Sequence, residues 1–236
     1  MKLFNLDSPL MTALNKICDL IWLNVLALVC CIPIFTIGAS MTAMHYVVLK
    51  MARGQEGYIT KDFFKSFKVN FKQATIIWLI ILALIVVLGL DFWILLTGEI
   101  TEGANATLQT VVRAFVILSA VFLLDLIVFV FPVLSHFDNT IKGTIKNSFL
   151  MSMVVLPKTV IMILLQLVPW AILYFLPQIL PIGLMFWMSG PAYLSALLYS
   201  KTFKKYEPEE MQEENNDDFT WTVGGSDESE EEEANA

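Results

Sequence analysis

Residues 74–96, ATIIWLIILALIVVLGLDFWILL, form an unbroken apolar run of 23 residues with a single charge, Asp91. At about 1.5 Å per residue, a helix of this length matches a hydrocarbon core of about 30 Å. The run commits the chain to a membrane. Further apolar segments follow at 111–134, 158–176 and 182–199. Before it, residues 20–49 are apolar over about 45 Å of helix, too long for one crossing. Pro33 and Gly38 fall inside that run. We read a helical hairpin there: one full pass, a turn at IPIFTIG, then a shorter returning helix. The alternative is one long, kinked pass. The hairpin gives six membrane segments; the kinked pass gives five. The expected fold is therefore an all-α, polytopic transmembrane helix bundle.

Composition matters here because the net charge of −7 misleads. Residues 207–236 hold thirteen acids and no base, leaving nine acids and fifteen bases in residues 1–206. The expected organisation is a basic membrane domain, 1–206, followed by an acidic tail, 207–236, disordered by composition. Nothing in this balance indicates nucleic acid as a partner. The three cysteines (18, 30 and 31) and two histidines make no zinc or redox motif, so no metal or cofactor is expected. The chain contains no Walker A loop, G-x-S-x-G or H-E-x-x-H, and no catalytic residues are expected.

Charge also orients the chain. The loops at 50–72, 142–158 and 201–205 hold the bases, whereas 97–110 and 177–181 hold none. The positive-inside rule puts the basic loops and the C-terminal tail in the cytoplasm. Lys2 and Lys16 favour a cytoplasmic N-terminus, and no cleavable signal peptide is evident at 1–16. In KDFFKSFKVNFK, residues 61–72, the four lysines Lys61, Lys65, Lys68 and Lys72 fall within about 60° of one another at 100° per residue. Phe63, Phe64, Phe67 and Phe71 fall on another face. This pattern predicts an interfacial amphipathic helix, its rings toward the acyl chains and its ammonium groups on anionic headgroups. A second such helix is expected over 136–150, with Lys142 and Lys146.

Charges inside the spans are costly and need partners. Asp91 and Arg113 lie at similar depths on consecutive spans and are expected to pair. Asp125 lies near the centre of its span, in VFLLDLIVFVF, with no base at that depth. It is protonated, hydrogen-bonded across helices or open to a water-filled cavity. Asn24 and Gln166 are its candidate partners. Asp125 is either a functional carboxylate of a small transporter or a helix-packing hydrogen-bond group. Small residues at 38–43 and 189–196 predict close helix approach. These two stretches either face each other or are a worn internal repeat.

Residues 32–78 carry a resemblance. Pro33, Thr36, Gly38 and Ala43, the Arg53-Gly54 turn, and the stretch from Phe63 through Asn70 to Gln73 resemble the signature of the YesL family of bacterial integral membrane proteins of unassigned function. Lys146-Asn147 with Pro157 fits its second half. The family often has Gly-Pro where this chain has Gly38-Ala39. The resemblance implies the plasma membrane of a Gram-positive bacterium and association with carbohydrate uptake, including ABC sugar importers and their sensors. It implies no catalytic residues. The expectation is a non-enzymatic accessory membrane protein, with a small transporter using Asp125 as the alternative.

Overall fold

A computed structural model describes residues 9–55, 57–97, 106–137, 139–176, 178 and 183–206. The acidic tail, the Glu99 and Glu102 loop and the Pro177 and Pro181 turn lie outside the described residues. Among those residues every regular element is helical: α1 (Pro9–Cys31), a 3₁₀ turn (Ile34–Thr36), α2 (Ile37–Ala52), α3 (Ile59–Thr97), α4 (Ala106–His136), α5 (Ile141–Val154), α6 (Leu156–Phe175) and α7 (Ser189–Tyr206).

The hairpin forms where Pro33 interrupts the apolar run. Pro33 cannot donate a backbone hydrogen bond and takes an extended conformation, ψ 123°. The Thr36 hydroxyl closes the turn by donating to the Cys30 carbonyl at 2.6 Å and the Pro33 carbonyl at 2.7 Å. The chain then doubles back, and the Ser40 hydroxyl donates to the Ala27 carbonyl across the hairpin at 2.8 Å. The single kinked pass is thereby excluded. At the far end of α2, Gly54 adopts φ 72°. Gln55 N–H bonds the Lys50 carbonyl and Gly54 N–H the Met51 carbonyl, so glycine's access to positive φ ends the helix with its last carbonyls satisfied.

Short side chains make α2 the hub. Gly38, Ala39, Ser40, Thr42 and Ala43 are all buried. Gly38 lies against α3 so closely that a Cβ there would stand 2.5 Å from the Ala74 carbonyl oxygen and 2.6 Å from Trp78 Cβ. The opposite side of α2 meets α7, where Ala192 and Ala196 share a core with Ala43 and Val47, and His45 contacts the Tyr199 hydroxyl at 3.3 Å. The two small-residue stretches thus lie on packed helices, although Gly38 itself faces α3. A second core joins α2, α3 and α4 through Ala39, Ala74, Ile77, Ile81, Val130 and Phe131.

Among the described residues five helices are long and apolar enough to cross a membrane: Met11–Cys31, Ile34–Ala52, Ile59–Leu95, Thr107–His136 and Leu156–Phe175. Their outward surfaces carry Leu, Ile, Val and Phe side chains in quantity. This is an integral membrane protein. The segment expected at 182–199 is not among the five. Its helix starts only at Ser189 and runs into Lys201, Lys204 and Lys205.

Two expectations need correction. Residues 61–72 do not form a separate interfacial helix; they are the first third of α3, continuous with the apolar run. Its 39 residues extend about 58 Å at 1.5 Å each. The phenylalanine face also turns inward. Phe63 is fully buried, it stacks on Phe67, and Phe67 meets Phe71 at 5.5 Å between ring centroids. Of the four rings, Phe64 is the most exposed, at 39%. The helix expected over 136–150 forms over Ile141–Val154, started by the Thr140 side chain accepting from Gly143 N–H. It packs on α4 through Phe149 against Phe122.

Candidate functional site

The bases gather at one end of the bundle. Lys50 at the end of α2 pairs with Asp62 at the start of α3, 3.0 Å apart. A Cβ on Gly57 would collide with that Asp62 carboxylate, so glycine permits the close turn between them. Arg53 approaches His136 of α4 at 3.5 Å, and His136 stacks on Phe203 of α7 with rings 15° apart. Lys158 of α6 donates to the Thr202 hydroxyl of α7 at 2.9 Å. The ends of α2, α4 and α7 and the starts of α3 and α6 therefore share one polar face.

Lys61, Lys65, Lys68 and Lys72 are all exposed along α3. The predicted stripe exists, but it runs parallel to the apolar part of the same helix. Its ammonium groups spread over about 16 Å of axis, so they cannot all lie in one interfacial plane while residues 79–97 cross. Beside the stripe, α1 and α3 bound an open cleft of about 790 Å³. Lys61, Lys65 and Lys68 line it, with Asp19 and Trp22 from α1. The Trp22 indole N–H donates to the Thr60 hydroxyl at 2.9 Å and ties the two helices together. Sequence reasoning missed Trp22, Thr60 and the Lys50–Asp62 pair. The contacts join residues 38 and 12 apart, and no local pattern signals them.

The buried polar residues have partners other than those expected. Asp125 is buried, and its hydrogen bond is with Ser152 of α5, a long one at 3.5 Å. Neither Asn24 nor Gln166 bonds it. Asn24 instead serves α7. Its amide donates to the Leu184 carbonyl at 2.7 Å, and its side-chain oxygen accepts from Met188 N–H at 2.9 Å and Ser189 N–H at 3.3 Å. Asn24 thus caps, from a distant helix, amides that begin α7. Gln166 is half-buried on α6. Gln73 makes an unforeseen bridge from α3 to the Asn139 carbonyl, 2.6 Å, and the Thr144 hydroxyl, 3.2 Å. No ion pair joins Asp91 and Arg113; both are exposed. Equal depth fixes height on a helix but not the direction in which a side chain leaves it. Nearly every residue of α3 from 83 to 93 is exposed, so little packing constrains that direction.

Residues 20–92, which run from α1 through the hairpin to most of α3, match the family described as "Protein of unknown function, DUF624". The protein is also 24% identical over 149 residues to the uncharacterized protein YteU of Bacillus subtilis (strain 168). That match covers 63% of this chain and 64% of YteU, so the chain spans less than two thirds of its relative's length. No solved structure matches. The motif at 32–78 lies wholly inside the matched region. It contributes the hairpin turn, the α2 hub and the cationic start of α3.

Proposed function

We propose that this protein is a non-enzymatic accessory component of a bacterial plasma membrane, binding partners that serve carbohydrate uptake. The observation that carries this reading is the shared polar face, where basic residues from four helices meet at one end of an otherwise apolar bundle. We assign that end to the cytoplasm by the positive-inside rule, and both termini with it. Its lysine stripe is suited to anionic headgroups and to acidic surfaces of a partner. The carbohydrate link rests on the resemblance to the YesL family, in which importers and their sensors are the associated systems.

The test is purification in mild detergent from the native host grown on a complex polysaccharide, with crosslinking and mass spectrometry. A stoichiometric importer or sensor subunit, crosslinked through the lysine-bearing face, is expected. A homogeneous protein without such a subunit refutes the accessory reading. A second reading, a small transporter, is favoured by Asp125, a buried carboxylate with one long hydrogen bond. If Asp125→Asn leaves carbohydrate-dependent growth unchanged, that reading loses the residue on which it depends.

A further inference from the structure

The cleft between α1 and α3 has the chemistry of a phosphate site. One wall presents three ammonium groups at i, i+4 and i+7 on a single helix: Lys61, Lys65 and Lys68. The other wall contributes one carboxylate, Asp19, which has an interaction of its own. Cations therefore outnumber anions three to one among the charged lining groups. Thr60, which also lines the cleft, accepts the Trp22 indole N–H, a bond that does not use its own hydroxyl proton. Trp22, Tyr58 and Phe64 add aromatic surface beside these donors. A few convergent polar groups against an aromatic wall is the usual composition of a small-ligand site. Lysines with a hydroxyl donor suit phosphoryl oxygens.

The continuity of α3 says where the cleft lies. Lys68 is eleven residues from Leu79, so the cleft ends about 16 Å along the helix before the longest exposed apolar stretch begins. We propose that this cleft binds a phosphate-bearing ligand, with Lys61, Lys65 and Lys68 holding the phosphoryl group and Trp22 and Phe64 covering the group that bears it. The proposal deepens the reading of the stripe as an anion-contacting face and rests on it. A soluble phosphomonoester and the headgroup of an anionic lipid share the chemistry.

Two probes separate these sources, each applied to the full-length protein. Inorganic phosphate is titrated by calorimetry at constant ionic strength into protein held in phosphatidylcholine nanodiscs. Phosphatidic acid retained after release from mixed-lipid nanodiscs is counted by native mass spectrometry. One saturable equivalent of either probe is expected. Lys61→Gln/Lys65→Gln/Lys68→Gln should weaken it at least tenfold, and Lys65→Gln alone should weaken it in the same direction. A control that removes equal charge elsewhere, Lys201→Gln/Lys204→Gln/Lys205→Gln, should leave it within twofold. Phosphate saturation identifies a soluble ligand; phosphatidic acid retention without it identifies a headgroup. No saturable binding of either probe overturns the proposal, and so does a control variant that loses as much as the cleft variant. The broader lipid-contact reading fails separately, if phosphatidylglycerol is not enriched over phosphatidylcholine around the wild-type protein.

Discussion

Asn24 offers the most direct test of how the bundle is held together. It is fully buried on α1 and bonds three backbone groups at and before the start of α7. Replacing it with alanine strands the Leu184 carbonyl and the Met188 amide, which have short bonds, and the Ser189 amide, whose bond is longer. Stranded buried groups cost about 1–3 kcal/mol each, but polar contacts in membrane proteins average nearer 0.6 kcal/mol because the unfolded chain in lipid finds other partners. Two good bonds at about 1 kcal/mol each, plus the cavity left by the carboxamide, give about 3 kcal/mol, or roughly a hundredfold in the unfolding equilibrium. Asn24→Leu helps separate the two contributions, since it keeps the branched shape, at a larger volume, and removes the polarity. The assay is reversible unfolding in dodecyl maltoside micelles, with amide exchange at Met188 and Ser189 as the local readout. Both variants should destabilise, and those amides should lose protection. If Asn24→Leu matches wild type, then Asn24 fills space and the cap contributes nothing. If Asn24→Ala stays within about 0.5 kcal/mol of wild type, the whole argument falls, because that is within the range of ordinary surface substitutions.

The other predictions concern α2, the polar face, α4 and the tail. Gly38→Ala should cost about 1–3 kcal/mol, because the new methyl meets a backbone carbonyl that cannot rotate away; a shift in Trp78 emission should accompany it, and unchanged stability would show that α2 and α3 can part freely. The Lys50–Asp62 pair is partly exposed, 24% and 18%, so a double-mutant cycle should give no more than about 1 kcal/mol of coupling, decreasing with salt. Asp125→Asn should change stability by less than about 1 kcal/mol, since one contact of 3.5 Å is all it can lose; chemical unfolding measures this. Deleting residues 207–236 removes thirteen acids and no base, and should increase the share of anionic lipid bound at the basic end. Raising the salt should erase that gain as the Debye length drops below about 8 Å.

Much of this was legible from residue types whose effects are local. Pro33 forbids a continuing hydrogen-bond ladder, so the break in the first apolar run could be read directly. The glycine and alanine positions of α2 announced close packing, although not which helix would approach. Partnerships were far less legible. Asn24 and Asp125 were matched by polarity and depth, yet Asn24 serves backbone groups 160 to 165 residues away. Asp125 meets Ser152, on a helix whose lysines had suggested a place at the interface. A serine gives no hydropathy signal strong enough to mark it as a carboxylate's partner. Asp91 and Arg113 failed for a different reason: depth was argued and azimuth was not.

The misreading of α3 shows what a change of pattern can and cannot mean. At Gln73 the sequence passes from a lysine and phenylalanine periodicity to an apolar run, and the change of environment suggested two elements. A helix ends only where something stops its hydrogen-bond ladder, and between Ile59 and Gly89 the chain has neither proline nor glycine. Gln73 is itself compatible with helix and spends its side chain on the Asn139 carbonyl and Thr144 hydroxyl. The ladder therefore runs on, and the lysines become a ridge along the axis of a crossing helix. That changes what the ridge can touch. A helix lying flat would set all four ammonium groups against headgroups at once, whereas an upright one presents them in sequence. Lys72 is nearest the apolar stretch, and Lys61 is about 16 Å beyond it along the axis. The outer three line a cleft with α1, off the plane that a flat helix would give them.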